Sequence, residues 1–97
     1  MPTYVSLVRW TEQGIKNVKQ TLDRAEQTRS LAQSLGGQMT TLYWTQGAYD
    51  LIAIGEFPDD ESFTAFALAV GSGGAVRTES LRAYSSEEMQ RILQKLP

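Results

Sequence analysis

Gly47-Ala48-Tyr49-Asp50 stands between two segments that both read as β-strands. Residues 38–46 ahead of it are rich in Thr and aromatics. Residues 51–57 behind it are mostly apolar and stop at Pro58-Asp59-Asp60. Strand, glycine-containing turn and strand make a hairpin. A helical segment flanks the hairpin on each side, so the chain predicts a β-α-β-β-α-β unit. The expected class is α+β: a ferredoxin-like antiparallel sheet with one extra C-terminal helix.

The first strand is expected over Thr3–Trp10. Thr11 is placed to cap a helical segment in which Ile15, Val18, Leu22, Ala25, Ala32 and Leu35 recur at helical spacing. One helix over residues 11–35 would be about 36 Å long at 1.5 Å per residue, longer than a strand of such a domain. A break is therefore expected near residues 20–23, with the main helix ending at the left-handed Gly36-Gly37. Pro58-Asp59-Asp60-Glu61 opens the next helix with acids at its positive end. Phe63, Phe66, Ala67 and Val70 form its apolar stripe, Gly71-Ser72-Gly73-Gly74 ends it, and residues 76–84 read as the fourth strand. Ser85-Ser86-Glu87-Glu88 is a capping box, and Met89, Ile92, Leu93 and Leu96 then line one side of a last helix. Residues 1–97 read as a single domain without repeats or linkers.

Composition removes several classes of chemistry. The chain has neither cysteine nor histidine. That takes away disulfides, thiolate nucleophiles, the commonest general base and the commonest transition-metal ligand. No metal site and no cofactor is expected. Net charge is −2 and the nine basic residues are scattered. No stripe neutralises several phosphates, so nucleic acid is not an expected partner. No apolar run approaches ~18 residues, and the chain enters a strand at once without a basic leader. A cytoplasmic protein without a membrane partner is the expectation.

An antiparallel sheet with its helices on one side leaves the other side bare. Alternation places Leu51, Ala53, Gly55 and Phe57 on one side of the third strand, where small residues suit close helix packing. Asp50, Ile52, Ile54 and Glu56 fall on the other. In strand one, Tyr4, Ser6, Val8 and Trp10 oppose Val5, Leu7 and Arg9, and the Tyr4 set is expected beside Ile52 and Ile54. Such a face is too apolar for comfortable exposure. A second copy of the chain is the expected cover, giving a homodimer or higher even oligomer with Val8, Ile52, Ile54 and Glu56 at the interface. The alternative is a monomer whose last helix covers its own sheet.

The run Gly47-Ala48-Tyr49-Asp50-Leu51-Ile52-Ala53-Ile54-Gly55-Glu56-Phe57-Pro58-Asp59-Asp60 resembles the signature of the GYD domain family. Thr11-Glu12-Gln13-Gly14-Ile15-Lys16-Asn17-Val18, Leu35-Gly36-Gly37 and Val76-Arg77-Thr78-Glu79 leading to Ala83 agree with it. The resemblance covers residues 3–84. Gly71-Ser72-Gly73-Gly74 departs from it in being richer in glycine. The resemblance implies a dimeric α+β barrel with ferredoxin-like protomers. Members of that wider group bind small molecules between the sheet and the helices or partner, or carry out cofactor-independent oxidations, and fold-level kinship implies no more than that.

Asp50 has two readings. Its carboxylate accepts a hydrogen bond from a ligand or acts as a base at the barrel mouth; or it ties backbone N–H groups of the turn. Glu56 shares its parity six residues on, about 20 Å away at 3.3–3.4 Å per residue. Two carboxylates serving one small substrate stand roughly 5–10 Å apart. They therefore do not cooperate within one chain, and Glu56 is expected to pair with Arg9, Arg77 or Arg82 of a neighbour. Tyr4, Trp10, Tyr43, Trp44 and Tyr49 are rings that stack on a planar ligand or fill core and interface. With Asp50 they are the candidate ligand-binding set. Arg77 and Thr78 lack the lysine ending of a phosphate loop, and Ser85 and Ser86 read as caps.

No residue is assigned a catalytic role. The leading expectation is a small non-catalytic homo-oligomeric domain, with room for a small ligand between sheet and helices. An alternative is a cofactor-independent monooxygenase or isomerase using Asp50 with Tyr49, Tyr43 or Trp44. A further alternative is a ligand-sensing regulatory domain, which would need a separate DNA-binding partner.

Overall fold

The computed structural model describes residues 1–97. Its elements are β1 (Thr3–Trp10), α1 (Glu12–Lys16), a 3-10 turn at Val18–Gln20, α2 (Thr21–Ser34) and β2 (Gln38–Trp44). They continue with β3 (Leu51–Glu56), α3 (Asp60–Ser72), β4 (Val76–Ala83) and α4 (Ser86–Gln94). The strands form one antiparallel sheet in the order β2-β3-β1-β4. β1 and β2 both run against β3, so they are parallel to each other and need a helical crossover. α1 and α2 supply it, and α3 does the same between β3 and β4. This is the ferredoxin-like α+β arrangement expected from a hairpin with helices on both sides.

The helical segment after β1 breaks earlier than residues 20–23. Asn17 turns its side-chain amide onto the Gln13 carbonyl at 3.0 Å and takes φ −107°. An Asn side chain offers the backbone an alternative to the next helical bond, which ends α1 there. The Thr11 hydroxyl accepts from the Gly14 N–H at 3.2 Å and donates to the Gly74 carbonyl. The Thr11 N–H bonds the Ala75 carbonyl at 3.0 Å. α1 is thereby pinned to the start of β4, so closely that a Cβ on Gly14 would lie 2.0 Å from the Ala75 oxygen. α2 ends in a Schellman motif: Gly36 takes φ +80°, and the Gly37 N–H reaches back to the Ala32 carbonyl at 2.9 Å.

The core lies between the sheet and α2 and α3. It is built on Tyr4, Ala32, Met39, Phe57, Phe63 and Phe66, with Leu31, Leu35, Leu42, Ala53, Ala67 and Val70 packed around them. Phe57 is the most buried large side chain at 1% exposure. Backbone closes on its ring from two sides: a Cβ on Gly37, just before β2, would come within 2.5 Å of it, and one on Gly55 of β3 within 3.3 Å.

Strand pairing settles which side of β1 faces the helices. Tyr4 pairs with Gly55, Ser6 with Ala53 and Val8 with Leu51. The expectation that the Tyr4 set lies beside Ile52 and Ile54 is corrected: Tyr4 and Val8 are buried on the helix side, at 5% and 9% exposure. Val8 is therefore not on the open face. β1 is apolar on both parities, so alternation alone cannot choose. Tyr4 belongs inside because its hydroxyl donates to the Asp60 carboxylate at the start of α3, while its ring stacks on Phe63 with centroids 4.0 Å apart.

The open face consists of Val5, Leu7, Ile52 and Ile54, paired Val5–Ile54 and Leu7–Ile52. Tyr43 lies opposite Ile52 and Leu81 opposite Val5, both largely exposed. Arg9, Glu56, Arg77 and Glu79 share this parity and ring the apolar centre. α4 does not cover it. The capping box forms as expected, Ser85 and Glu88 exchanging side-chain and backbone bonds. Beyond it the helix makes almost no contact with other elements, and Met89, Leu93 and Leu96 are 45%, 57% and 65% exposed. The radius of gyration is 14.6 Å, against about 12.5 Å for a compact chain of this length, and the long axis is 51 Å.

Candidate functional site

The helix side of the sheet is incompletely filled because of what α2 brings to it. Thr21, Ala25 and Thr28 recur along one side of α2 and face Val8, Leu42, Leu51 and Ala53 of the sheet. Small side chains opposite medium ones leave a gap. The gap is an apolar cavity of about 90 Å3, with Trp10 and Arg24 also in its wall. Through Val8, Thr28, Met39, Ala53 and Val70 it adjoins a smaller void of about 50 Å3 beside the aromatic core. Through Arg24, Thr28, Val70, Ala75 and Val76 it adjoins an outer groove of about 220 Å3 between α2 and α3.

Of the six residues named from the sequence as ligand-binding, Trp10 lines the main cavity. Tyr4 lines the inner void, but its hydroxyl is committed to Asp60. Burial, followed by the hydrogen bond to Asp60, raises its pKa to about 12. It therefore keeps its proton at any ordinary pH. Trp44 braces α2 from outside, its indole Nε1–H donating to the Thr21 hydroxyl at 3.0 Å. Tyr43 stands on the open face, 65% exposed.

Tyr49 and Asp50 occupy the hinge of the hairpin and do not line the cavity. Gly47 takes φ +95°, and Thr45 closes the loop through its N–H to the Asp50 carbonyl at 2.8 Å and its hydroxyl to the Tyr49 carbonyl at 2.7 Å. The Asp50 carboxylate accepts the Trp10 N–H at 2.8 Å, and its own N–H donates to the Val8 carbonyl at 2.8 Å. It thus extends the β1–β3 ladder past its last backbone pair. Tyr49 folds over the rim of the open face. The Arg9 guanidinium lies 4.4 Å above its ring, its hydroxyl donates to Glu79 at 3.2 Å, and Arg9 Nε donates to the Ala48 carbonyl at 2.8 Å.

A family model described as GYD domain matches residues 4–93. The chain belongs to the GYD domain family. Among solved structures, the crystal structure of TTHA0845 from Thermus thermophilus is similar to this GYD domain. The TM-score is 0.56 over 89% of this chain and 96% of that one, at 23% identity, so the likeness is one of fold. No curated protein matches the chain.

The turn that resembled the family signature thus acts as a clamp on the GYD domain's central strands and as a frame for its bare face. The cavity residues Thr21, Arg24, Ala25 and Thr28 were missed in the sequence. Their spacing was present there, but it reads as an ordinary half-polar helix until the opposing strand residues are known. No three acidic side chains converge into a group able to hold a metal ion, and no helix is long and apolar enough to cross a membrane.

Proposed function

We propose that this GYD domain is a non-catalytic homodimer that holds a small molecule between α2 and its sheet. The cavity carries this reading. Its wall contains no carboxylate, no tyrosine and no lysine, so nothing in it moves a proton at neutral pH. Asp50, the one acid with a catalytic reading, spends its carboxylate on the Trp10 N–H. An apolar space with a few polar groups at its edge suits retention of a ligand better than chemistry upon it.

The dimer is supported by the open face and by α4. A few hundred Å2 of apolar surface covered on each copy, at about 25 cal/mol per Å2, is worth on the order of 10 kcal/mol. Association costs about 4–15 kcal/mol, so the sheet faces alone bring pairing near balance. The exposed stripe of α4, laid on the partner, tips it. Charges at the rim then set the register, with Glu56 opposite a partner arginine. Native mass spectrometry of the freshly purified protein tests both parts. A dimer carrying one added mass per chain is expected; a bare monomer contradicts the reading.

A further inference from the structure

Arg24 lines both the main cavity and the outer groove, and unlike the other half-buried arginines it has no ion-pair partner. Arg29 is paired with Glu26 at 3.7 Å and donates to the Met39 carbonyl at 3.1 Å. Arg82 is paired with Glu88 at 3.4 Å and caps carbonyls of β1 and β4. Arg24 is also half-buried, yet it has no carboxylate within 4.0 Å and lies beside a wall that is largely apolar. An arginine without a counter-ion at the edge of an apolar space offers an anion a site, and its planar fork matches a carboxylate in both spacing and charge.

The shape of the space narrows the rest of the ligand. The main cavity, at about 90 Å3, is smaller than the ~150 Å3 apolar cavity that accepts a benzene ring. Two further spaces, one beside Phe63 and Phe66 and one on the outside between α2 and α3, share wall residues with it, and Thr28 and Val70 line all three. A flexible narrow chain adapts to small adjoining spaces; a rigid ring does not. We infer that the cleft binds an unbranched alkyl carboxylate, its carboxylate on Arg24 and its chain between α2 and the sheet. This rests on the ligand-holding reading above and adds the chemical class.

The test uses the whole protein and octanoate, octan-1-ol and phenylacetate as probes. Trp10 lines the cavity, so the indole N–H signals of the two tryptophans in a 1H–15N spectrum give a local readout. Octanoate is expected to shift the Trp10 signal and to bind at least tenfold more tightly than either octan-1-ol or phenylacetate. Arg24→Gln should lose that tenfold preference and keep the octan-1-ol affinity. Arg24 has no ion pair to lose, so the variant should fold. Should it fail to, the comparison of probes on the unaltered protein still decides. Equal binding of octanoate and octan-1-ol overturns the role of Arg24 while leaving a ligand-holding cleft. Tighter binding of phenylacetate overturns the narrow-chain assignment. No shift with any probe overturns the ligand-holding reading together with the inference.

Discussion

Tyr4 and Asp50 each make one side-chain hydrogen bond that a single substitution removes. Tyr4→Phe deletes the donor to Asp60 and leaves the ring stack on Phe63 intact. A hydrogen bond to a charged group is worth about 1.5–3 kcal/mol, and the freed Asp60 is exposed to water, so a loss of about 1–2 kcal/mol is expected at pH 7. The pH dependence comes from a folded pKa of about 12 against 10.0. Below pH 10 both states keep the proton and the stability is complete. From pH 10 upward the unfolded chain ionises first, so stability falls until the folded pKa is passed. Urea melts at pH 7 and across pH 10–12 should show Tyr4→Phe less stable at neutrality and flatter in alkali. Asp50→Ala removes the acceptor of the Trp10 N–H and should lower stability by about 1–2 kcal/mol, roughly 4–16 °C in Tm. An unchanged Tm would mean that the carboxylate is free for a ligand instead.

At the scale of elements, the tightest constraint is where α1 meets β4. Gly14→Ala drives a methyl group into the Ala75 carbonyl, a backbone atom that cannot step aside. Overpacking of this kind costs about 1–3 kcal/mol or more, and chemical denaturation should show it. The helix starts respond to acid. The Ser62 backbone N–H holds the Asp59 carboxyl below its ordinary range, and the Ser85 backbone N–H, then Arg82, does so for Glu88. Both caps contribute above the unfolded carboxylate range and are lost as pH falls through the lower folded values. Asp59→Asn keeps an acceptor that does not titrate, so its acid unfolding curve should be shallower below pH 4. The elements most legible in the sequence were those whose signals are local: the hairpin turn, the Schellman glycines, the capping box and the aromatic stripe of α3. The face of β1 was not, because Val5 and Leu7 are as apolar as Tyr4 and Val8 and only Asp60, fifty-six residues on, distinguishes them. The cavity was not legible either, since a gap depends on what two distant segments fail to fill. That Arg24 lacks a partner is likewise a fact of three dimensions.

For the whole molecule, the central matter is a sheet covered on one side and an amphipathic helix that touches almost nothing. Ending the chain after Tyr84 removes the α4 stripe, and the proposed dimer should weaken by at least tenfold while the sheet stays folded. Ile54→Asp places a charge in the middle of the apolar face, opposite Val5, and should abolish pairing without touching the helix-side core. Sedimentation velocity on the unaltered protein and on Ile54→Asp at tens of micromolar tests the covered face most directly. The unaltered chain should sediment at twice its 10.8 kDa mass and the variant at that mass. An unaltered chain that sediments as a monomer, with Ile52 and Ile54 left to water, would contradict it.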